Sequence, residues 1–160
     1  MVASDGAGAW VAVWFSDENL GGTIGTDDDI LVSRSSDDGA TWTVPVALNT
    51  NAGTDSGVDS RPVVASNGAG AWVAVWFSDE NLGGTIGTDF DILVSRSGNG
   101  GATWTAPMAL NTNAATDSGK DFLPVLASDS AGAWVAAWYS DDDLGGTIGT
   151  DNDILFATGD

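Results

Sequence analysis

The chain has no cysteine and no histidine, and only four basic residues, four prolines and one tyrosine among 160 residues. Each shortage excludes something. Without cysteine there is no disulfide framework. Without cysteine or histidine, zinc and copper lose their usual ligands. Three arginines and one lysine cannot build the cationic surface that phosphate backbones require, so nucleic acid is excluded as a partner. An anionic membrane surface is disfavoured on the same ground. No run of residues is long and apolar enough to insert into a bilayer. Met1 leads straight into repeat sequence, without the basic segment and apolar stretch of a secretory leader. The expectation is therefore a mature, processed product or a piece of a longer chain.

Acid, glycine and tryptophan are abundant instead. The chain carries 23 Asp and Glu, 22 Gly and 8 Trp, for a formal net charge of −19. Charge of one sign at this density opposes a compact state unless cations offset it. Two readings follow: divalent cations held by acidic loops, or a generally acidic surface suited to high salt. The glycine and tryptophan content points to a turn-rich β protein.

The sequence repeats every 62 residues. Val2-Ala3-Ser4 returns as Val64-Ala65-Ser66 and again as Leu126-Ala127-Ser128, and 50 of the 62 positions in residues 1–62 are identical in residues 63–124. The units are read as residues 1–62, 63–124 and a partial 125–160, about 2.6 copies. Such a unit hides its apolar faces against copies of itself. In the second copy the pattern predicts strands over 62–66, 71–77, 91–97 and 104–110, separated by Gly turns and long polar loops. The 71–77 strand is apolar on both faces, as a strand between two sheets must be. Pro107 cannot donate to a ladder, which places the fourth strand at an edge. No window reads as helix.

The fold class expected is all-β: tandem four-stranded antiparallel blades of a β-propeller-like repeat, incomplete, with a β-sandwich array as the alternative. The third unit lacks a fourth strand. Its first and last blades are expected to expose apolar faces carrying Trp10 or Trp138 and to draw neighbours, either copies of this chain or further repeats of a longer one. In an up-and-down sheet, alternate connections emerge at opposite ends. The acidic loops therefore gather at one end and the short Gly turns at the other.

The acidic loops hold the candidate metal ligands. Asp17, Asp27 and Asp29 recur as Asp79, Asp89, Asp91 and as Asp141, Asp151, Asp153. The residue between the last two varies (Asp28, Phe90, Asn152), so the flanking pair is expected to converge. A second loop supplies Asp55 and Asp59, recurring as Asp117 and Asp121, with Asn49 and Asn51 matched by Asn111 and Asn113. Calcium takes six to eight oxygens from carboxylates, amides and backbone carbonyls, and this set suits it. The competing reading is that Asp, Asn and Ser only fold the loops through bonds to nearby backbone.

The turn between the third and fourth strands reads Ser35-Ser36-Asp37-Asp38-Gly39-Ala40-Thr41-Trp42, and its copy Ser97-Gly98-Asn99-Gly100-Gly101-Ala102-Thr103-Trp104. Both fit Ser-x-Asp/Asn-x-Gly-x-Thr-Trp. This resembles the Asp-box of the bacterial neuraminidase repeat, found in sialidases and other β-propellers. The resemblance implies a blade fold, with the box on the face away from an active site. It also implies, for a sialidase, three arginines on the substrate carboxylate, a Tyr–Glu nucleophilic pair and an acidic proton donor.

The chain departs from that set. Arg34 and Arg96 are repeat equivalents, Arg61-Pro62 only partly matches the family's Arg-Ile-Pro, and Tyr139 stands where the other copies have Phe15 and Phe77. The expected function is a non-catalytic, extracellular structural repeat protein that binds calcium and self-assembles as a fibre, adhesin or surface layer. The alternative is a fragment of a sialidase-like glycosidase or a carbohydrate-binding propeller.

Overall fold

A computed structural model describes residues 1–129 and 131–159, and every regular element among them is a strand. Strands β1 (Val2–Ser4), β2 (Trp10–Ser16), β3 (Asp29–Ser35) and β4 (Val46–Ala47) form one sheet in that order. Strands β5 (Asp59–Ser66), β6 (Trp72–Ser78), β7 (Asp91–Ser97) and β8 (Met108–Ala109) form a second. Strands β9 (Asp121–Ser128), β10 (Trp134–Ser140) and β11 (Asp153–Gly159) form a third. All pairings are antiparallel, and the register repeats with the sequence: Trp10 faces Ser35, Trp72 faces Ser97 and Trp134 faces Gly159.

Alternation along the strands builds the core between sheets. On β6, Trp72, Ala74 and Trp76 point toward the first sheet and pack with Val11, Val13, Ile30 and Val32. Val73 and Val75, with Ile92 and Val94 of β7, point the other way and meet Trp134, Ala136 and Trp138 of β10. The middle sheet is thus buried on both faces, which is why β6 carries no polar alternation. Trp76 is fully buried; removing an indole of this size from water contributes on the order of 5 kcal/mol.

Three sequence expectations are corrected. Trp138 is buried against the second sheet, because β10 alternation turns Trp134, Ala136 and Trp138 inward together. The outward face of the third sheet carries Val135, Tyr139, Ile154 and Phe156 instead, with Phe156 72% exposed. The fourth strand is only two residues long in each complete sheet. Upstream of Pro107 the Thr105 hydroxyl takes the amide of Arg96 at 3.0 Å, replacing a ladder bond with a side-chain one. The first strand of the middle sheet begins earlier than expected, at Asp59, because a bulge between Ser60 and Val63, with Arg61 at φ 54°, lets pairing resume.

The Asp-box turns close locally. Asp37 Oδ1 accepts from the Thr41 amide at 2.9 Å and the Ser35 hydroxyl at 2.7 Å, and its Oδ2 accepts from the Thr41 hydroxyl at 2.6 Å. These bonds, those of Thr41 foremost, pull the Asp37 carboxyl down to about 2. Asn99 repeats the arrangement on Thr103 and Ser97. Each box docks on the neighbouring Gly turn, Asp38 N–H to Gly8 carbonyl and Gly100 N–H to Gly70 carbonyl. At the opposite end the two acidic loops of each unit are tied together, Gly25 N–H to Ala52 carbonyl and Gly87 N–H to Ala114 carbonyl, both at 2.9 Å.

Candidate metal centre

Where the acidic loops meet, two equivalent carboxylate clusters form. Asp27, Asp29 and Asp55 each place an oxygen within 4.8 Å of the others, and so do Asp89, Asp91 and Asp117. Two residues come from the β2–β3 or β6–β7 loop and the start of the following strand. The third comes from the linker to the next sheet. Gly25 and Gly87 make the approach possible, since a Cβ at either would collide with the Asp27 or Asp89 carboxylate.

Each cluster residue has a buried oxygen with no hydrogen-bond partner among the described residues: Asp27 Oδ2, Asp29 Oδ2 and Asp55 Oδ1 in the first cluster, and Asp89 Oδ2, Asp91 Oδ2 and Asp117 Oδ1 in the second; Asn51, whose Nδ2 holds Asp55, also has its Oδ1 buried and unpaired. Asp29 and Asp91 are fully buried. An unpaired buried carboxylate oxygen is costly, and three carboxylates together are more so. The turn-folding reading accounts for one oxygen of Asp55, which accepts from Asn51 Nδ2 at 2.6 Å. It leaves the converging oxygens unexplained. An all-oxygen set of three carboxylates fits calcium, which tolerates irregular geometry, and offers nothing to a soft metal.

A buried amide holds each cluster from below. Asn49 Nδ2 donates to Asp29 Oδ1 at 2.8 Å and to Asp59 Oδ2 at 2.7 Å, while its Oδ1 accepts from the Ile30 amide. Asp59 Oδ1 in turn accepts from Trp76 Nε1 at 2.9 Å. A chain of polar contacts therefore runs from the first cluster to the central tryptophan of the core. Asn111 repeats the hold on Asp91 at 2.6 Å.

The electrostatics follow from burial. Desolvation raises Asp29, with the charges of Asp27 and Asp28 adding to it and the Asn49 bond opposing. Burial, then the charges of Asp29 and Asp27, pushes Asp55 up to about 6. Burial pushes Asp91 to about 6, and raises Asp117 with help from Asp89 and Asp142. Below the clusters, burial drives Asp59 to about 8 and Asp121 to about 7.

The other recurring acids are placed differently. Asp79 Oδ1 accepts from the Val58 amide at 2.6 Å and Asp141 Oδ1 from the Lys120 amide at 2.5 Å, so both fasten the linker to the next sheet. Asp17 and Asp151 are exposed and Asp153 is half-buried, outside the two clusters. Asp59 and Asp121 lie buried beneath them. Two nearby acids, Glu80 and Asp142, were not singled out from sequence. They share a repeat column with Glu18, and an acid in every copy was the available signal.

No protein-family model matches the chain, and no curated protein matches it in sequence. Solved structures do match its fold. A Hadza microbial sialidase superposes with a TM-score of 0.62 at 16% identity, over 96% of this chain and 33% of that one. An α-L-arabinanase of Penicillium chrysogenum, complexed with arabinobiose, gives 0.53 at 16% identity, over 94% and 40%. The GH93 α-L-arabinofuranosidase of Fusarium graminearum gives 0.51 at 12% identity, over 83% and 35%. The chain therefore has a sialidase-like, Asp-box β-propeller blade fold and spans a third to two-fifths of the length of these structures.

Proposed function

We propose that this chain is a non-catalytic, extracellular structural repeat protein that holds calcium at Asp27–Asp29–Asp55 and Asp89–Asp91–Asp117 and joins copies of itself or further repeats of a longer chain. The observation that carries the calcium reading is the convergence of buried, unpartnered oxygens at the same place in two successive units. Outside cells calcium is plentiful enough to fill sites of modest affinity, which is the ground for the extracellular reading.

Assembly is supported by the outward faces of the end sheets. Val135, Ile154 and Phe156 are the repeat equivalents of Val73, Ile92 and Val94, which in the middle sheet are buried against tryptophans. The half-buried Trp10 and Trp14 are the equivalents of Trp72 and Trp76, which receive such a ridge. One end of the molecule thus presents the kind of surface that the other end accepts. That head-to-tail relation extends rather than closes unless the rotation completes a ring.

The non-catalytic reading is supported by scatter. Arg34 and Arg96 lie toward the Asp-box end of their strands, Arg96 over the Trp134 ring at 5.0 Å, while Arg61 sits on the bulge near the acidic end. Tyr139 points outward from the third sheet and is 48% exposed. The similarity to a sialidase and to an arabinanase complexed with arabinobiose favours the second reading, a fragment of a glycosidase or carbohydrate-binding propeller.

Calorimetric titration and sedimentation test the proposal together. The expected result is two calcium ions per chain and a concentration-dependent increase in size that Phe156→Asp abolishes. A calcium-indifferent monomer ends it, and turnover or binding of sialosides or arabino-oligosaccharides would favour the second reading.

A further inference from the structure

Resting on the calcium reading above, we propose that each ion is a clamp between consecutive sheets, with Glu80 of the second sheet's loop completing the first site and Asp142 of the third sheet's loop completing the second. The clusters as they stand draw on one sheet and the linker that leaves it. The loop of the following sheet lies directly against that linker. A Cβ at Gly57 would come within 2.8 Å of Glu80 Cα, and one at Gly119 would collide with Asp142. Only glycine permits this approach, and it occurs at both junctions.

The acids themselves lie beside the sites. Glu80 shares with Asn51 and Asp55 one open groove of about 490 Å³, which gives an ion a path from solvent. At the second junction Asp142 is buried, and its Oδ2 accepts at 2.5 Å from Asn113 Nδ2, which also donates to Asp117 Oδ2 at 2.6 Å. One amide therefore separates Asp142 from the cluster. At each junction three acids cluster and a fourth, from the next sheet, lies beside them, in a chain whose net charge is −19. Like charges gathered across a packing interface drive the sheets apart unless a cation lies between them. With the fourth carboxylate the ion bonds to three segments at once: a loop, the linker, and the next sheet's loop.

The test uses the whole chain stripped with chelator and titrated with calcium, then loaded with europium to count bound waters from luminescence lifetimes in H2O and D2O. Glu80→Ala is expected to weaken one of the two sites by about tenfold or more, Asp142→Ala the other, each adding at least one water per affected ion. Glu80→Gln and Asp142→Asn are the fold-preserving partners and should weaken the same sites. Asp38→Asn, at the opposite end, controls for net charge and should change neither. Two sites of unchanged affinity in the Glu80 and Asp142 variants would overturn the clamp and leave the cluster assignment standing. Weaker binding with an unchanged water count would overturn direct coordination. No calcium bound by the unaltered protein would remove the calcium reading itself, and the clamp with it.

Discussion

Calcium should change the stability of this protein by an amount comparable with its whole folding free energy. Each cluster brings three carboxylates within 4.8 Å of one another. At an effective dielectric constant of about 20, two unit charges at that distance repel by about 3 kcal/mol, so three ionised pairs cost about 10 kcal/mol. A domain's net stability is typically about 5–15 kcal/mol. The metal-free protein therefore holds protons at the clusters up to a higher pH than free carboxyls do, in keeping with the upward shifts of Asp55 and Asp91 to about 6. Calcium at a hundredfold excess over its dissociation constant adds about 2.7 kcal/mol per site. Two sites give about 5 kcal/mol, which for a chain of this size raises Tm by about 10–20 °C. Scanning calorimetry in chelator and in calcium, with magnesium as control, reads this directly. The double variant Asp29→Asn/Asp91→Asn supplies the opposite sign: it keeps the bonds to Asn49 and Asn111, relieves repulsion, raises Tm in chelator and abolishes the calcium response. Superimposable transitions in chelator and calcium, or a double variant that is less stable in chelator and still responds, would refute the reasoning.

Other outcomes follow from the same geometry. In chelator, stability should fall as pH rises from about 4 to 8, because Asp59 and Asp121 hold protons in the folded state, with values of about 8 and 7, that the unfolded chain releases near 3.8; each contributes a slope of at most about 1.4 kcal/mol per pH unit, and urea midpoints across that range measure it. Trp76→Phe should cost about 1–3 kcal/mol beyond the loss of packing, since it strips buried Asp59 of its indole donor; raising the pH from 5 to 8 in chelator should enlarge the deficit. Gly57→Ala should cost about 1–3 kcal/mol by forcing the Glu80 backbone away, and proteolysis at the first linker should accelerate while the second linker remains protected.

Much of the fold was readable from residues because the repeat exposes its own rules. The 62-residue recurrence of the apolar run in Trp72–Ser78 and of the strand pattern in Asp91–Ser97 located the two central strands to within a residue. The bulge was not readable: Arg61 takes φ 54° without being glycine, held there by pairing on both sides. Nor was the shortness of β8, because the Thr105 hydroxyl imitates a ladder partner only in three dimensions. At the candidate site, recurrence of Asp27 and Asp29 was visible, but not that Asp55, 26 residues later, completes their cluster while Asp79 binds the linker amide of Val58. Recurrence marks positions under a common constraint. It does not say whether the constraint is an ion, a backbone amide or a buried indole.

The near-identity of the units carries a hazard for folding. The Val11–Val13 ridge of the first sheet meets Trp72 and Trp76, but Trp134 and Trp138 form almost the same receiving surface. A nascent chain thus offers each ridge two addresses of nearly equal affinity, and a blade skipped or exchanged between molecules would bury much the same apolar area. Repeat proteins commonly misassemble in this way. The positions where the copies differ at the second junction, Phe90 and Phe122 packed with Phe77 at centroid distances of 5.3–5.5 Å, mark that interface with an aromatic triad that the first junction lacks. Three rings at one joint give otherwise interchangeable parts an order of assembly.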